Sequence, residues 1–258
     1  MRLLVTLLLF LVPILGVWTF WTADENGWWL PEAVTTYAPD IDYLFNLILW
    51  MVAVFFILTE CLLAWFFFKY SKKDEAKGVY SHGNHKLEMV WTAVPGLCLL
   101  FIAFSQMGTW ADIKFRGNMP EEAPIAHVWA SQFDWMIQYP GADGQFGTWD
   151  DVEVNHLFKV PGGENVVFTL HSRDVLHSFF VPEFRLKQDA VPGMAIPVWF
   201  NVEPEFTGNT YDLICAELCG WGHYKMAGRV EVVSREEFDA WIVEQQANVM
   251  SNGTEDQS

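Results

Sequence analysis

Residues 3–21, LLVTLLLFLVPILGVWTFW, carry no charge. Two further runs behave alike: residues 43–68 carry only Glu60, and residues 89–110, MVWTAVPGLCLLFIAFSQMGTW, carry none. As a helix, each run is long enough to cross about 30 Å of hydrocarbon, so the chain must have a membrane-spanning helical part. Past residue 111 no comparable run occurs. Short β-branched and aromatic stretches there alternate with Gly, Pro and Asp, the pattern of one β-rich domain.

Charge orients these pieces. The loop 69–88 holds five Lys, whereas residues 22–42 hold five carboxylates and neither Lys nor Arg. The positive-inside rule places the first segment in the cytoplasm and the second outside, with the β domain also external. In a bacterium that means the inner (cell) membrane, with the β domain periplasmic. Arg2, ahead of the first apolar run, agrees with a cytoplasmic N-terminus. Residues 1–23 read either as a signal peptide or as an additional transmembrane helix. Cleavage needs small side chains before the cut, and Trp21 in the WTA of 21–23 favours retention. Net charge is -17, and residues 111–258 hold 9 basic against 23 acidic side chains. Such a domain attracts cations and basic proteins and excludes nucleic acid as a partner.

Within residues 111–233, strands are expected at 125–130, 133–139, 152–159, 165–171, 196–202, 210–215 and 228–233, the spacing of a Greek-key sandwich. Ser234 and Glu237 form a capping box that opens a helix through FDAWIVEQ, and the polar tail ANVMSNGTEDQS is expected to be disordered. The Gly- and Asp-rich stretch 140–151 could hold Ca²⁺ through Asp143, Asp150 and Asp151, but a solvated hairpin turn uses the same residues and is the preferred reading.

Chemistry concentrates in CAELCGWGHYKM, residues 215–226. Cys61 and Cys98 lie in apolar helices and read as small buried hydrophobes. Cys215, Cys219, His223 and Met226 follow C-x3-C-x3-H-x2-M, with Gly220 and Gly222 letting the backbone turn between them. A disulfide would suit an external compartment but leaves the His and Met without a reason. Structural zinc has no use for a thioether. Copper fits them all, because thiolate and thioether favour its reduced form and imidazole suits both oxidation states. Two thiolates on one turning loop can bridge two coppers, which calls for a second His. His177 is the best candidate, with His171, His156 and His127 as weaker ones.

HSRDVLHSFFVPEFRLKQDAVPGM followed by CAELCGWGHYKMAGRV closely resembles subunit II of the haem-copper cytochrome c oxidases, whose cupredoxin domain carries the dinuclear CuA centre. LEMVWTAVP at 87–95 resembles that family's L-E-x-x-W-T-x-x-P, so the resemblance covers most of residues 43–243. It implies a membrane α-helical hairpin, with a possible extra N-terminal helix, followed by an all-β cupredoxin sandwich. By position it implies that His177, Cys215, Cys219, His223 and Met226 hold two copper ions through their side chains, and Glu217 through its backbone carbonyl. The Glu217 side chain would hold Mg²⁺ at the boundary with subunit I, with Asp189 in the stretch packed near it. A carboxylate suits a hard cation better than soft copper. Glu88 matches the glutamate at the cytoplasmic entrance of a proton channel, although a helix N-terminal Glu favoured by the macrodipole would look the same. Glu60, deeper in its helix, has no counterpart. The family's Q-W-x-W, whose first Trp admits electrons, here reads QFDW, with Phe133 and Trp135 at the Trp positions. Trp221 and Trp129 are other aromatic candidates, for which packing is the preferred reading.

The function so implied is transfer of electrons from cytochrome c, through CuA, to haem in subunit I. Oxygen reduction and proton pumping occur there, with subunit III a further partner, so oxygen chemistry has no catalytic residue in this chain. The competing readings are a copper-free structural subunit II of a quinol oxidase, which the complete ligand set opposes, and another CuA electron-transfer protein or a copper chaperone. The helical hairpin and the Glu88 motif oppose both of the latter.

Overall fold

A computed structural model describes residues 2–23, 25–71, 78 and 80–255. Residues 72–77 and 79 of the basic loop lie outside the described residues, as do residues 1, 24 and 256–258. The chain forms two compact units, one of Met1–Trp29 with Asp40–Ala111 and one of Leu30–Pro39 with Asp112–Ser258.

The first unit is built on α1 (Arg2–Ala23), α2 (Ala38–Tyr70) and α3 (His85–Lys114), all three long and apolar enough to cross a membrane. The expectation of a hairpin with a possible extra N-terminal helix is thus corrected to three apolar helices. Helices α2 and α3 overrun the expected spans 43–68 and 89–110, because their flanks suit a helix. Asp40 and Glu88 lie in first turns and Lys69 and Lys114 in last turns, where each charge complements the macrodipole. Helix α1 packs on α2. The Phe20 and Trp50 rings lie 5.1 Å apart, and a Cβ on Gly16 would stand 3.3 Å from the Phe56 ring.

In the second unit two five-stranded sheets make a sandwich. Strands β1 (Ala126–Ser131), β2 (Asp134–Tyr139), β3 (Val152–Asn155), β5 (Asn165–Ser172) and β8 (Ile196–Asn201) form one sheet, in the order β3-β2-β1-β5-β8. Strands β4 (Leu157–Pro161), β6 (His177–Val181), β7 (Leu186–Ala190), β9 (Thr210–Cys215) and β10 (Ala227–Val233) form the other, in the order β4-β10-β9-β6-β7. The β1–β5 and β4–β10 pairs are parallel. Phe158, Phe168, Phe179 and Phe200 fill the space between the sheets, wholly buried, and Phe168 lies 5.2 Å from Phe158 and 5.1 Å from Phe179 by ring centroid. Each such ring contributes about 1.5–3 kcal/mol by leaving water.

Three expectations change. The single strand expected at 152–159 is two, because His156 takes a left-handed φ of 62° and passes the chain from one sheet to the other. Strands β6 and β7 were not among the expected strands. The helix capped at Ser234, α4 (Arg235–Glu255), continues through residues 247–255 of the expected disordered tail, where Ala247 and Met250 favour it and Gly253 does not end it. The capping box itself is present: the Glu237 amide donates to Ser234 Oγ at 3.2 Å and the Ser234 amide to Glu237 Oε2 at 3.0 Å.

The segment 30–39 belongs to the β unit. Thr35 bridges to Val202, the Val34 amide donates to the Glu183 carbonyl at 3.1 Å, and the Thr36 amide donates to that of Asn201 at 3.0 Å. The end of α3 is tied in as well: Trp199 Nε1 donates to the Ile113 carbonyl at 3.0 Å, and Lys114 Nζ to Gln188 Oε1 at 2.9 Å.

Tyr139 ties β2 to β4. Its buried hydroxyl donates to the Lys159 carbonyl and accepts from the Lys159 amide, each at 2.8 Å, and burial raises its pKa far above the ordinary value. Tyr139→Phe orphans both groups and is expected to cost about 1–3 kcal/mol, read as a lower chemical-denaturation midpoint of the β unit in the full chain; an unchanged midpoint would contradict this role.

Candidate metal centre

Strand pairing brings the two ends of the cluster together. Strand β6 opens with His177 and β9 closes with Cys215; they run antiparallel, with Phe179 opposite Cys215. The Cys215 amide donates to the Met226 carbonyl at 3.1 Å, closing the base of the loop, and the Ala216 amide donates to the Ser178 carbonyl at 3.0 Å. Between them Gly220 sits at a φ of 137°, a conformation side chains disfavour, and a Cβ there would come within 2.7 Å of Gln132 Nε2. A short 3-10 turn over His223–Lys225 then returns the chain to Met226.

All six positions singled out as copper ligands meet at this loop. Cys215 Sγ lies 3.9 Å from Cys219 Sγ, 4.0 Å from His177 Nδ1 and 3.2 Å from the Glu217 carbonyl. Cys219 Sγ lies 3.6 Å from His223 Nδ1 and 3.8 Å from Met226 Sδ, which is 3.2 Å from His177 Nδ1. His177, Cys215, Cys219 and Met226 are buried, and His223 is half-buried. Both cysteines are free thiols, so the disulfide alternative is not what the fold adopts. The donor atoms of His177, Cys215 and Cys219 all lie within 4.8 Å of one another, close enough for one metal site. Two sulfurs from Cys, one from Met and two imidazole nitrogens form a soft set that fits copper.

Two residues missed in the sequence hold this set. Asp174 Oδ1 lies 2.8 Å from His177 Nε2. With Nε2–H donating there, Nδ1 keeps its lone pair toward the sulfurs, an outer contact of the kind that orients metal-binding imidazoles. Burial opposes ionisation of Asp174, yet hydrogen bonds from the His177 ring and from the Gln132 and Val175 amides hold its carboxyl below the usual range. Gln132 also reaches the other side of the loop, its Nε2 donating to the Cys219 carbonyl at 2.5 Å. The available signal for Asp174 was its place three residues before His177.

The remaining candidates lie elsewhere. His156 bonds Asp134 and the Ala227 carbonyl, and His127 and His171 stack on Phe146 and Trp129, so none of the three meets the cluster. Trp135 is wholly buried, edge-on to His177 and Phe179, and offers no outer contact surface. Phe133 is half-buried against the loop glycines, and Trp221, for which packing was expected, is exposed. Asp189 pairs across from Ser178, next to His177, and is bridged by Lys187 at 3.3 Å. In the 140–151 loop, Asp151 Oδ2 accepts from Gln138 and from the Gly147 and Thr148 amides, and Thr148 Oγ1 donates to Asp150 Oδ1. These carboxylates are engaged as in a turn, and the calcium alternative gains no support. In the helical unit, Glu88 lies in the first turn of α3, capped by Asn84 and 3.9 Å from His85, while Glu60 lies within α2.

A family model described as cytochrome c oxidase subunit II, periplasmic domain, matches residues 127–233, and one described as cytochrome c oxidase subunit II, transmembrane domain, matches residues 23–108. The alternative cytochrome c oxidase subunit 2 of Bradyrhizobium diazoefficiens is 31% identical over 240 residues, covering 84% of each chain. Cytochrome c oxidase subunit 2 of Thermostichus vulcanus is 28% identical, over 89% of this chain and 82% of that one. Among solved structures, the periplasmic domain of subunit II of the cytochrome oxidase of Bradyrhizobium japonicum matches over 50% of this chain and 98% of its own, at 23% identity and a TM-score of 0.43.

Burial, with the charge of Cys215 next, pushes the Cys219 thiol well above its ordinary pKa, so metal must displace a proton to bind there. Apparent Cu(I) affinity of the metal-free chain is therefore expected to rise from about pH 6 to about pH 8, and an affinity independent of pH would contradict protonated thiols.

Proposed function

Because the chain belongs to the cytochrome c oxidase subunit II family, we propose that it is the electron-accepting subunit of a haem-copper oxidase, taking electrons from cytochrome c and delivering them to haem in subunit I. The observation that carries this reading is the convergence of soft donors from residues 215–226 with His177 on the neighbouring strand.

In this reading the thiols of Cys215 and Cys219, the Nδ1 atoms of His177 and His223, the Met226 thioether and the Glu217 carbonyl would hold two coppers. When bound, the copper pair supplies a one-electron acceptor with charge shared over both metals. The chain's part is to keep the donors fixed. The β6–β9 register sets one side, the Cys215–Met226 bond closes the loop, and Asp174 fixes the His177 tautomer. Burial of His177, Cys215, Cys219 and Met226 keeps water out. The Glu217 side chain, ill suited to copper, is left for Mg²⁺ at the subunit I boundary. An acidic external domain steers a basic donor toward this face. Residues 1–23 remain as a helix in this reading, supported by the close approach of Gly16 to α2. The domain sits on the periplasmic side of a bacterial inner membrane.

Copper analysis and electron paramagnetic resonance of the full chain in detergent test the reading. Two coppers per chain, with the multiline pattern of one electron shared by both, are expected, and Cys219→Ser should abolish that pattern. A single copper or zinc would sink the proposal, and a metal-free protein would leave a copper-free structural subunit.

Glu88→Gln is expected to slow turnover of the oxidase complex several-fold while the copper spectrum stays unchanged, as a proton-channel entrance requires. Unchanged turnover would leave Glu88 only its favourable place at a helix N-terminus. Donor oxidation should also slow with added salt, as the Debye length shrinks from about 10 Å at 0.1 M to about 3 Å at 1 M.

A further inference from the structure

The copper loop carries its largest apolar groups on the outside. Leu218, Trp221 and Tyr224 are 77, 81 and 76% exposed, although Cys219, Gly222 and Met226 between and beside them are buried. Three large side chains so placed on one short loop are unusual for a surface that meets only water. The Trp221 ring stands edge-on to Phe133 with centroids 5.4 Å apart. Phe133 in turn lies tight on the loop: a Cβ on Gly220 would come 3.1 Å from its Cζ, and one on Gly222 would overlap its ring. Phe133 thus fills a seat against the backbone, and Trp221 is the outer member of the pair. Lys225 steadies the exposed rings, its Nζ 6.0 Å from the Trp221 centroid and 5.5 Å from that of Tyr224.

The rim is acidic. Asp134 follows Phe133 directly, and Asp174 accepts from the Gln132 amide; their side chains remain partly exposed. With 9 basic against 23 acidic side chains from residue 111 onward, the surrounding field favours a basic partner.

We propose that Trp221, with Tyr224 beside it, is the docking surface for a basic one-electron redox protein and the side chain through which its electron reaches the loop, Phe133 serving as the seat behind it. This rests on the electron-accepting reading above. One electron leaves the donor, which is oxidised, and arrives at the copper-loaded loop, which is reduced; no bond forms or breaks and no proton moves. Trp221 is two residues from Cys219, so the covalent path from indole to thiolate is short. An exposed Trp is also the residue type most often found to dominate a protein interface.

The test uses the full chain in detergent and a basic soluble cytochrome c. Trp221→Ala should lower the second-order rate of cytochrome c oxidation by the copper-loaded chain about tenfold or more, with the copper spectrum unchanged, and weaken cytochrome c binding to the metal-free chain by a similar factor. Trp221→Phe should recover most of the binding. Trp149→Ala, which removes another exposed Trp beyond the far end of β2, should change neither quantity. A Trp221→Ala chain with wild-type rate and binding would overturn the proposal. So would a variant that binds and oxidises cytochrome c normally but no longer assembles with the other oxidase subunits, since the face would then belong to them. A wild-type chain that takes up no copper pair would defeat the parent reading instead, while binding to the metal-free chain would still decide the docking face.

Discussion

The antiparallel register that sets Phe179 opposite Cys215 is the constraint on which the metal centre depends. It places the first residue of β6 beside the last residue of β9, and so brings an imidazole to two thiols remote from it in sequence. The backbone bond from Cys215 to Met226 then returns the far end of the loop to the same point. A slip of one residue in β9 would turn Cys215 from the interior to solvent, because side chains alternate faces along a strand. Tyr211, Leu213 and Cys215 point inward together, so the aromatic core between the sheets and the metal donors enforce the same register.

That coupling positions the donors through contacts made by the protein itself. Asp174 holds the buried His177, and Gln132 connects the Asp174 carboxylate to the Cys219 carbonyl, so the two sides of the donor set share one hydrogen-bonded frame. In the proposed electron-accepting role, a centre benefits from donors that do not have to move. The frame is made by the β1–β2 turn, which also carries Phe133 against the loop.

Much of this was legible from residues alone, and the reasons differ by element. The three apolar runs are unambiguous because no soluble packing can bury so many consecutive apolar side chains. Most strands could be read from alternation and turn residues. The division at His156 could not, since a left-handed residue within VEVNHLFKV leaves no mark on apolar alternation. Strand β7, LKQDA, hides behind its charges because it is an edge strand whose polar side chains face outward. That Cys215, Cys219, His223 and Met226 lie close together was legible from their spacing in one short loop. The supports of that loop were not, because Asp174 and Gln132 act through contacts made by different strands. Trp221 shows the opposite failure: an aromatic residue inside a ligand loop suggests packing, and only the folded loop reveals that its ring faces outward.

Copper K-edge X-ray absorption on the copper-loaded full chain tests the central claim most directly. The account requires each copper to show sulfur and nitrogen scatterers together with a short metal–metal vector that disappears when Cys215 or Cys219 is replaced by Ser. A shell of nitrogen and oxygen alone, without a copper–copper vector, would contradict it.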